Sequence, residues 1–140
     1  MNVSRETIVQ SFVFCAFYAL FSVFIAGCGE DTVLDDISGF NKIIEKRTDI
    51  RSAREVMIIY YNYLPGEKDS KYSIEEEDLT KGRTRVTLIS DNLPDDSMRG
   101  LKLVMVTNFD GSKWKVVIVQ RNWRCYDGRG HTNWGTEPCS

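Results

Sequence analysis

The sequence has little of what most reaction chemistries need. Its 140 residues include a single histidine, His131, so a four-ligand zinc site is poorly supplied. No Gly-x-Ser-x-Gly elbow occurs to present a nucleophilic serine. A basic excess is also absent: 18 Lys and Arg stand against 20 Asp and Glu, a formal net charge of -2. Nucleic-acid binding needs a basic face that displaces counterions, so no nucleic-acid partner is expected. Hydrophobic residues at 42% and charged residues at 27% are ordinary for a globular chain, neither disordered nor polytopic in a membrane. The length allows one domain.

One long hydrophobic run is present, at the N-terminus. Met1 to Thr7 is short and polar with Arg5 as its one basic side chain, and Phe12 to Ala26 is almost wholly apolar and aromatic. The small residues Ala26 and Gly27 then precede Cys28. Charged start, apolar middle and small residues at the cut are the order of a secretory signal. A retained transmembrane helix needs about 20 apolar residues. Ile8 to Gly27 nearly reaches that length, but Gln10 and Ser11 interrupt its first turn and Glu6 weakens the basic flank.

The tetrad Ile25-Ala26-Gly27-Cys28 resembles the lipobox of bacterial lipoproteins. The resemblance implies that residues 1–27 are cleaved as a signal peptide, that the Cys28 sulfur carries a diacylglyceryl group, and that Cys28 becomes the N-terminus. Residues 28–32 would then be a lipidated tether and 33–140 a single domain. Each buried methylene contributes about 0.8 kcal/mol, so two or more acyl chains anchor stably where one is marginal. Loss of Arg5 and Glu6 leaves the net charge unchanged. Gly29 stands where an aspartate marks inner-membrane retention in Gram-negative lipoproteins, which slightly favours the outer membrane of the cell envelope.

With Cys15 removed and Cys28 acylated, Cys125 and Cys139 remain. In an oxidising compartment these two are expected to form a disulfide. Closing such a loop of about 15 residues contributes about 3 kcal/mol in the chain-entropy model. A metal pair is the alternative, which the single histidine disfavours.

Residues Gly29 to Thr32 read as too polar to pack. Val33, Ile37, Phe40 and Ile44 recur at the spacing of an amphipathic helix face, with Gly39 as an interruption. Ser52-Ala53-Arg54-Glu55 reads as a capping box, Val56 to Leu64 as a helix buried on more than one side, and Pro65-Gly66 as its stop. Strands are expected at 72–79, 83–90, 101–109 and 114–123. The first carries Glu75-Glu76-Glu77-Asp78 and suits an exposed edge. The last two join at Asp110-Gly111, a hairpin signal. Simple alternation puts Trp114, Val116 and Ile118 on one face of the last strand, with Val117, Val119 and Trp123 on the other. The fold class is therefore α+β, one or two N-terminal helices packed on a four-stranded antiparallel sheet. That element order resembles the cystatin-like and nuclear-transport-factor-like rolls, which implies a concave sheet able to hold a ligand.

The most distinctive stretch is "CYDGRGHTNWGTEPC", residues 125–139. As a disulfide-closed loop it offers Asp127, Arg129, His131 and Trp134 as partner-binding residues, because Trp and Arg commonly anchor interfaces. Its bland reading is a stapled terminus, with Gly128 and Gly130 making turns and Trp134 folded onto the sheet. The pattern "WRC..GRGH..W....C" also resembles the C-termini of small secreted bacterial proteins of no assigned activity, which implies kinship and no chemistry. His131 lacks a nucleophile to serve, and no catalytic residue, cofactor or metal is expected. The Asp91 to Asp96 run lacks the glycine and distal glutamate of an EF-hand and reads as a turn. These readings lead to a membrane-anchored envelope lipoprotein acting as a protein-binding or accessory module, with an unidentified envelope protein as partner. The alternatives are a small-ligand carrier with a pocket between helix and sheet, or an inhibitor of an envelope hydrolase.

Overall fold

A computed structural model describes residues 29–140. The expected signal peptide and Cys28 lie outside the described residues. Seven elements follow in order: β1 (Val33–Leu34), α1 (Ser38–Ile44), α2 (Ala53–Tyr63), β2 (Ser73–Asp78), β3 (Arg83–Ser90), β4 (Met98–Phe109) and β5 (Trp114–Cys125). The strands form one antiparallel sheet ordered β1-β5-β4-β3-β2. The α+β class is as expected, but the sheet has five strands rather than four. No helix among the described residues is long and apolar enough to cross a membrane.

The fifth strand corrects the reading of the first helix. Val33 and Leu34 pair with Arg121 and Gln120 of β5, and the helix begins only at Ser38. Helical spacing from Val33 to Ile37 was therefore coincidental, whereas Phe40 and Ile44 do form the buried stripe. The polar segment before β1 is corrected too. Glu30, Asp31 and Thr32 lie on the sheet, hydrogen-bonded to Lys102, Asn122 and Gln120.

Helix α2 starts as its cap dictates. Ser52 is extended, and its hydroxyl accepts from the Glu55 amide at 3.2 Å. The Glu55 carboxylate reaches back one residue further than a regular capping box, accepting from the Arg51 amide at 2.7 Å. Ala53, Val56, Met57, Tyr60 and Tyr61 are buried along one stripe, so the expected burial on several sides does not occur; Tyr63 stays half exposed. This stripe and Phe40 of α1 cover the inner sheet face of Val86, Leu88, Leu103, Met105, Val116 and Val119. Each such side chain contributes about 1.5–3 kcal/mol by burial. Phe40 meets Tyr60 edge-on at 4.8 Å between centroids.

A β-bulge sets which β5 residues join that core. Val106 pairs with Ile118 but Thr107 pairs with Val116, leaving Val117 as the extra residue. The simple alternation fails there. Val116 and Val119 both face the core, while Val117 is exposed on the bulge. Val119, Tyr60 and Tyr61 are buried together in this core, apart from exposed Val117.

Both sheet edges are managed. Edge strand β2 carries exposed carboxylates as expected, with Arg54 bound to Glu76 at 2.8 Å and Arg85 to Glu77 at 2.6 Å. The β5 edge is covered in three pieces: Asn41 at Val116, β1 at residues 120–121, and Gly135 at Trp123.

Candidate functional site

The C-terminal loop is built back onto the end of β5. Cys125 and Cys139 are disulfide-bonded with Cα atoms 5.6 Å apart, as the cysteine count implies. Trp123 and Gly135 exchange backbone hydrogen bonds of 3.0 and 2.9 Å, and the Trp123 indole donates to the Glu137 carbonyl at 2.9 Å. Tyr126 ties the start of the loop to the β3–β4 connection, its amide donating to Ser97 O and its hydroxyl to Leu93 O. A stapled and laddered segment of this kind has little conformational entropy left to lose.

His131 braces the inside of the loop. Its Nδ1 lies 2.7 Å from the Asn133 carbonyl and its Nε2 2.9 Å from the Glu137 carbonyl. Carbonyls only accept, and a neutral imidazole has one N–H, so two acceptors favour the doubly protonated ring. These two backbone bonds raise the His131 pKa above its ordinary value, assisted by the Glu137 charge against weak desolvation. Neither ring nitrogen is left to act as a base.

Trp134 lies across the outer sheet face rather than at the loop tip. Its ring sits over Gly100, flanked by the Arg124 guanidinium at 5.0 Å and Lys102 Nζ at 5.8 Å from the centroid, a cation–π arrangement. Arg124 is held in turn by both Asp91 carboxylate oxygens, and that pairing lowers the Asp91 pKa. Trp134 is half-buried. Asp127 and Arg129 are the exposed members of the expected set, and Arg129 places Nη1 3.4 Å from the Ser140 carbonyl. The four expected residues therefore divide: Asp127 and Arg129 present the tip, while His131 and Trp134 hold the loop.

The Asp91 to Asp96 run forms the β3–β4 connection expected of it. Asp95 Oδ1 accepts from the Ser97 amide, the Ser97 hydroxyl and the Met98 amide at 2.8, 3.0 and 2.6 Å, and the two backbone bonds lower its pKa. Among the described residues no cluster of His, Cys, Asp and Glu is placed to hold a metal.

A cleft that sequence reasoning missed opens beside the loop. It has a volume of about 300 Å³ and apolar walls from Leu64, Leu93, Met98, Leu101 and Trp123, with Glu67, Lys68, Asp95 and Arg121 also lining it. Leu93 and Trp123 are the residues tied to the loop through Tyr126 and Glu137. Arg121 Nε lies 2.8 Å from Asp35 Oδ1 as an ion pair, off the N–H line needed for a hydrogen bond. Tyr60 donates to Asp35 Oδ2 at 2.6 Å; burial first, then this carboxylate, push the Tyr60 hydroxyl far above its ordinary pKa. The wall residues come from four separate segments, so no local spacing marks them. The one available signal was Arg121, a charge among the otherwise apolar inward positions of β5.

Comparison with protein-family models, with curated proteins and with solved structures gives no match.

Proposed function

We propose that the chain is a lipid-anchored envelope protein that binds another protein through the rigid tip at Asp127 and Arg129 and the adjoining cleft. One observation carries this reading: the disulfide-closed loop that presents the exposed tip is hydrogen-bonded to two residues of the cleft wall, through Tyr126 to Leu93 and through Glu137 to Trp123. A partner then meets a charged tip beside an apolar pocket, and preorganisation lowers the ordering cost of association. Met98, Leu101 and Trp123 receive an apolar side chain, while Asp127 and Arg129 take its charged neighbours. His131 and Trp134 act by bracing. No cofactor, metal or catalytic group enters this reading, and engagement of both His131 nitrogens supports a non-enzymatic role.

Cys28 carries the acyl anchor in this reading, with the outer membrane slightly favoured. Cys28→Ser abolishes fatty-acid labelling and leaves an unprocessed precursor; continued labelling refutes the anchor. For the binding role, in-cell crosslinking compares the unaltered chain with the Asp127→Ala/Arg129→Ala double variant and with Met98→Arg. Loss of the same crosslinked species in both variants supports the site, and retention of every species in both sinks it.

The cleft also favours a second reading, a small-ligand carrier, since about 300 Å³ lies at the lower bound for small-molecule pockets. An apolar fluorescent probe that binds the unaltered chain but not Met98→Arg, with crosslinking unchanged, favours the carrier. An inhibitor of an envelope hydrolase is the protein-binding reading with the tip entering the hydrolase cleft.

A further inference from the structure

The segment following Cys28 has almost no slack. The Glu30 carboxylate accepts from Lys102 Nζ at 2.6 Å and from Asn122 Nδ2 at 3.3 Å, and the Asp31 carbonyl accepts from the same amide at 3.2 Å. Thr32 Oγ1 accepts from Gln120 at 3.2 Å, and β1 follows at once. Only Gly29 separates Cys28 from Glu30, so the two residue steps span at most about 7 Å. A domain of this size has a radius of gyration of about 13 Å. An acyl chain on Cys28 therefore pulls the folded body onto the bilayer, and the point of attachment selects the face.

That face is the outer side of the sheet, away from the helices. Register places Leu34, Gln120 and Val104 in one row and Val106 with Ile118 in the next. Leu34 is 62% exposed, and the three other apolar side chains are half-buried with no helix over them. Of the acidic groups on this face, Glu30 and Glu77 are ion-paired with Lys102 and Arg85, while exposed Glu75, opposite Thr87 at the far end of the Leu34 row, has no ion pair among the described residues. Exposed Lys115, opposite Asn108 on the same face, has no ion pair among the described residues. Trp134 lies half-exposed at the end of the stripe, beside two cations. Apolar side chains, a tryptophan and cations at one level suit a headgroup boundary, where aromatic rings settle and basic groups meet anionic lipid.

We propose that the outer sheet face, from Leu34 through Val104 to Trp134, rests on the surface of the membrane that holds the lipid anchor. This rests on acylation of Cys28, and it leaves the loop tip and cleft to bind from the membrane plane. The occupant is the lipid surface, because the chain enters the fold on this face and its two basic groups without ion pairs among the described residues, Lys115 and Arg83, both opposite Asn108, outnumber the single such carboxylate, Glu75.

The test uses the full chain, processed by its host and reconstituted in phosphatidylethanolamine–phosphatidylglycerol vesicles. A water-soluble amine-acylating reagent is applied, and lysine labelling is read by mass spectrometry together with the mass of the Cys28 peptide. The expected result is an acylated Cys28 peptide and a several-fold loss of Lys115 labelling on vesicles relative to detergent, with Lys42 on α1 and Lys46 in the turn after it unchanged. An acylated peptide with equal protection of all three lysines, or protection of Lys42 and Lys46 instead, overturns the proposal and leaves the anchor standing. Protection of Lys115 that persists in detergent assigns the face to a second copy of the chain and also overturns it. A Cys28 peptide without acyl mass overturns both.

Discussion

Asn41 and Val116 form a side-chain-to-backbone pair that imitates a strand ladder: Asn41 Nδ2 donates to the Val116 carbonyl and Asn41 Oδ1 accepts from the Val116 amide, both at 2.9 Å. One amide thus satisfies the β5 edge at the position where β1 no longer reaches, and it docks α1 onto the sheet. Asn41→Ala leaves that donor and acceptor without partners, at a cost of about 1–3 kcal/mol. Urea unfolding should show a lower midpoint with an unchanged slope. Concentration-dependent self-association should also rise, since an uncovered edge templates pairing; an unchanged midpoint refutes the role.

Gly100 is where the outer face leaves no room for a side chain. A methyl group there meets Asp91 Oδ1 at 2.9 Å and Trp134 Cη2 at 3.2 Å. Gly100→Ala is expected to displace Trp134 and weaken the Asp91–Arg124 pair, destabilising by about 1–3 kcal/mol. A red-shifted tryptophan emission with a lowered thermal midpoint checks this, and wild-type values for both contradict it.

His131 makes the loop pH-sensitive. Its folded pKa lies above the ordinary 6.5 because two carbonyls accept from the ring. A raised folded pKa means the stabilisation is fully present below the unfolded value and is lost as pH rises through the folded one. Hydrogen exchange at the Cys125 amide, which donates to the His131 carbonyl at 2.8 Å, should accelerate across that window beyond its intrinsic pH dependence. In His131→Gln the extra acceleration should vanish. An unchanged pH profile in that variant rules the clasp out.

The disulfide ties Pro138 to Ser140 back onto the end of β5. Cys139→Ser should cost about 2–4 kcal/mol and increase proteolysis between Tyr126 and Glu137. Met98 pairs with Cys125 at the cleft wall, so cleft variants and Cys139→Ser should combine non-additively. Additive effects on stability argue that loop and cleft are independent.

Much of the fold was legible locally. The Ser52 cap, the Pro65-Gly66 stop, the Asp110-Gly111 hairpin and the carboxylate-lined edge each depend on residues within a few positions, and each stands where expected. The disulfide followed from counting cysteines once Cys28 was assigned to lipid. Val33 escaped because a two-residue strand has no periodicity of its own and exists only opposite Arg121. Alternation in β5 failed at Val117 because a bulge belongs to the strand pair.

By itself the sequence determined the domain's class, its helix start, its hairpin and the two cysteines that pair, since caps, turns and periodicities are enforced by sterics and hydrogen bonds over a few residues. Tertiary structure alone decided that Trp134 packs over Gly100, that Glu30 is clamped by Lys102, and that Leu93, Met98, Leu101 and Trp123 converge on one cleft. Those contacts join segments up to 72 residues apart. Only the register of the assembled sheet brings such distant side chains together, and no local pattern along the chain encodes it.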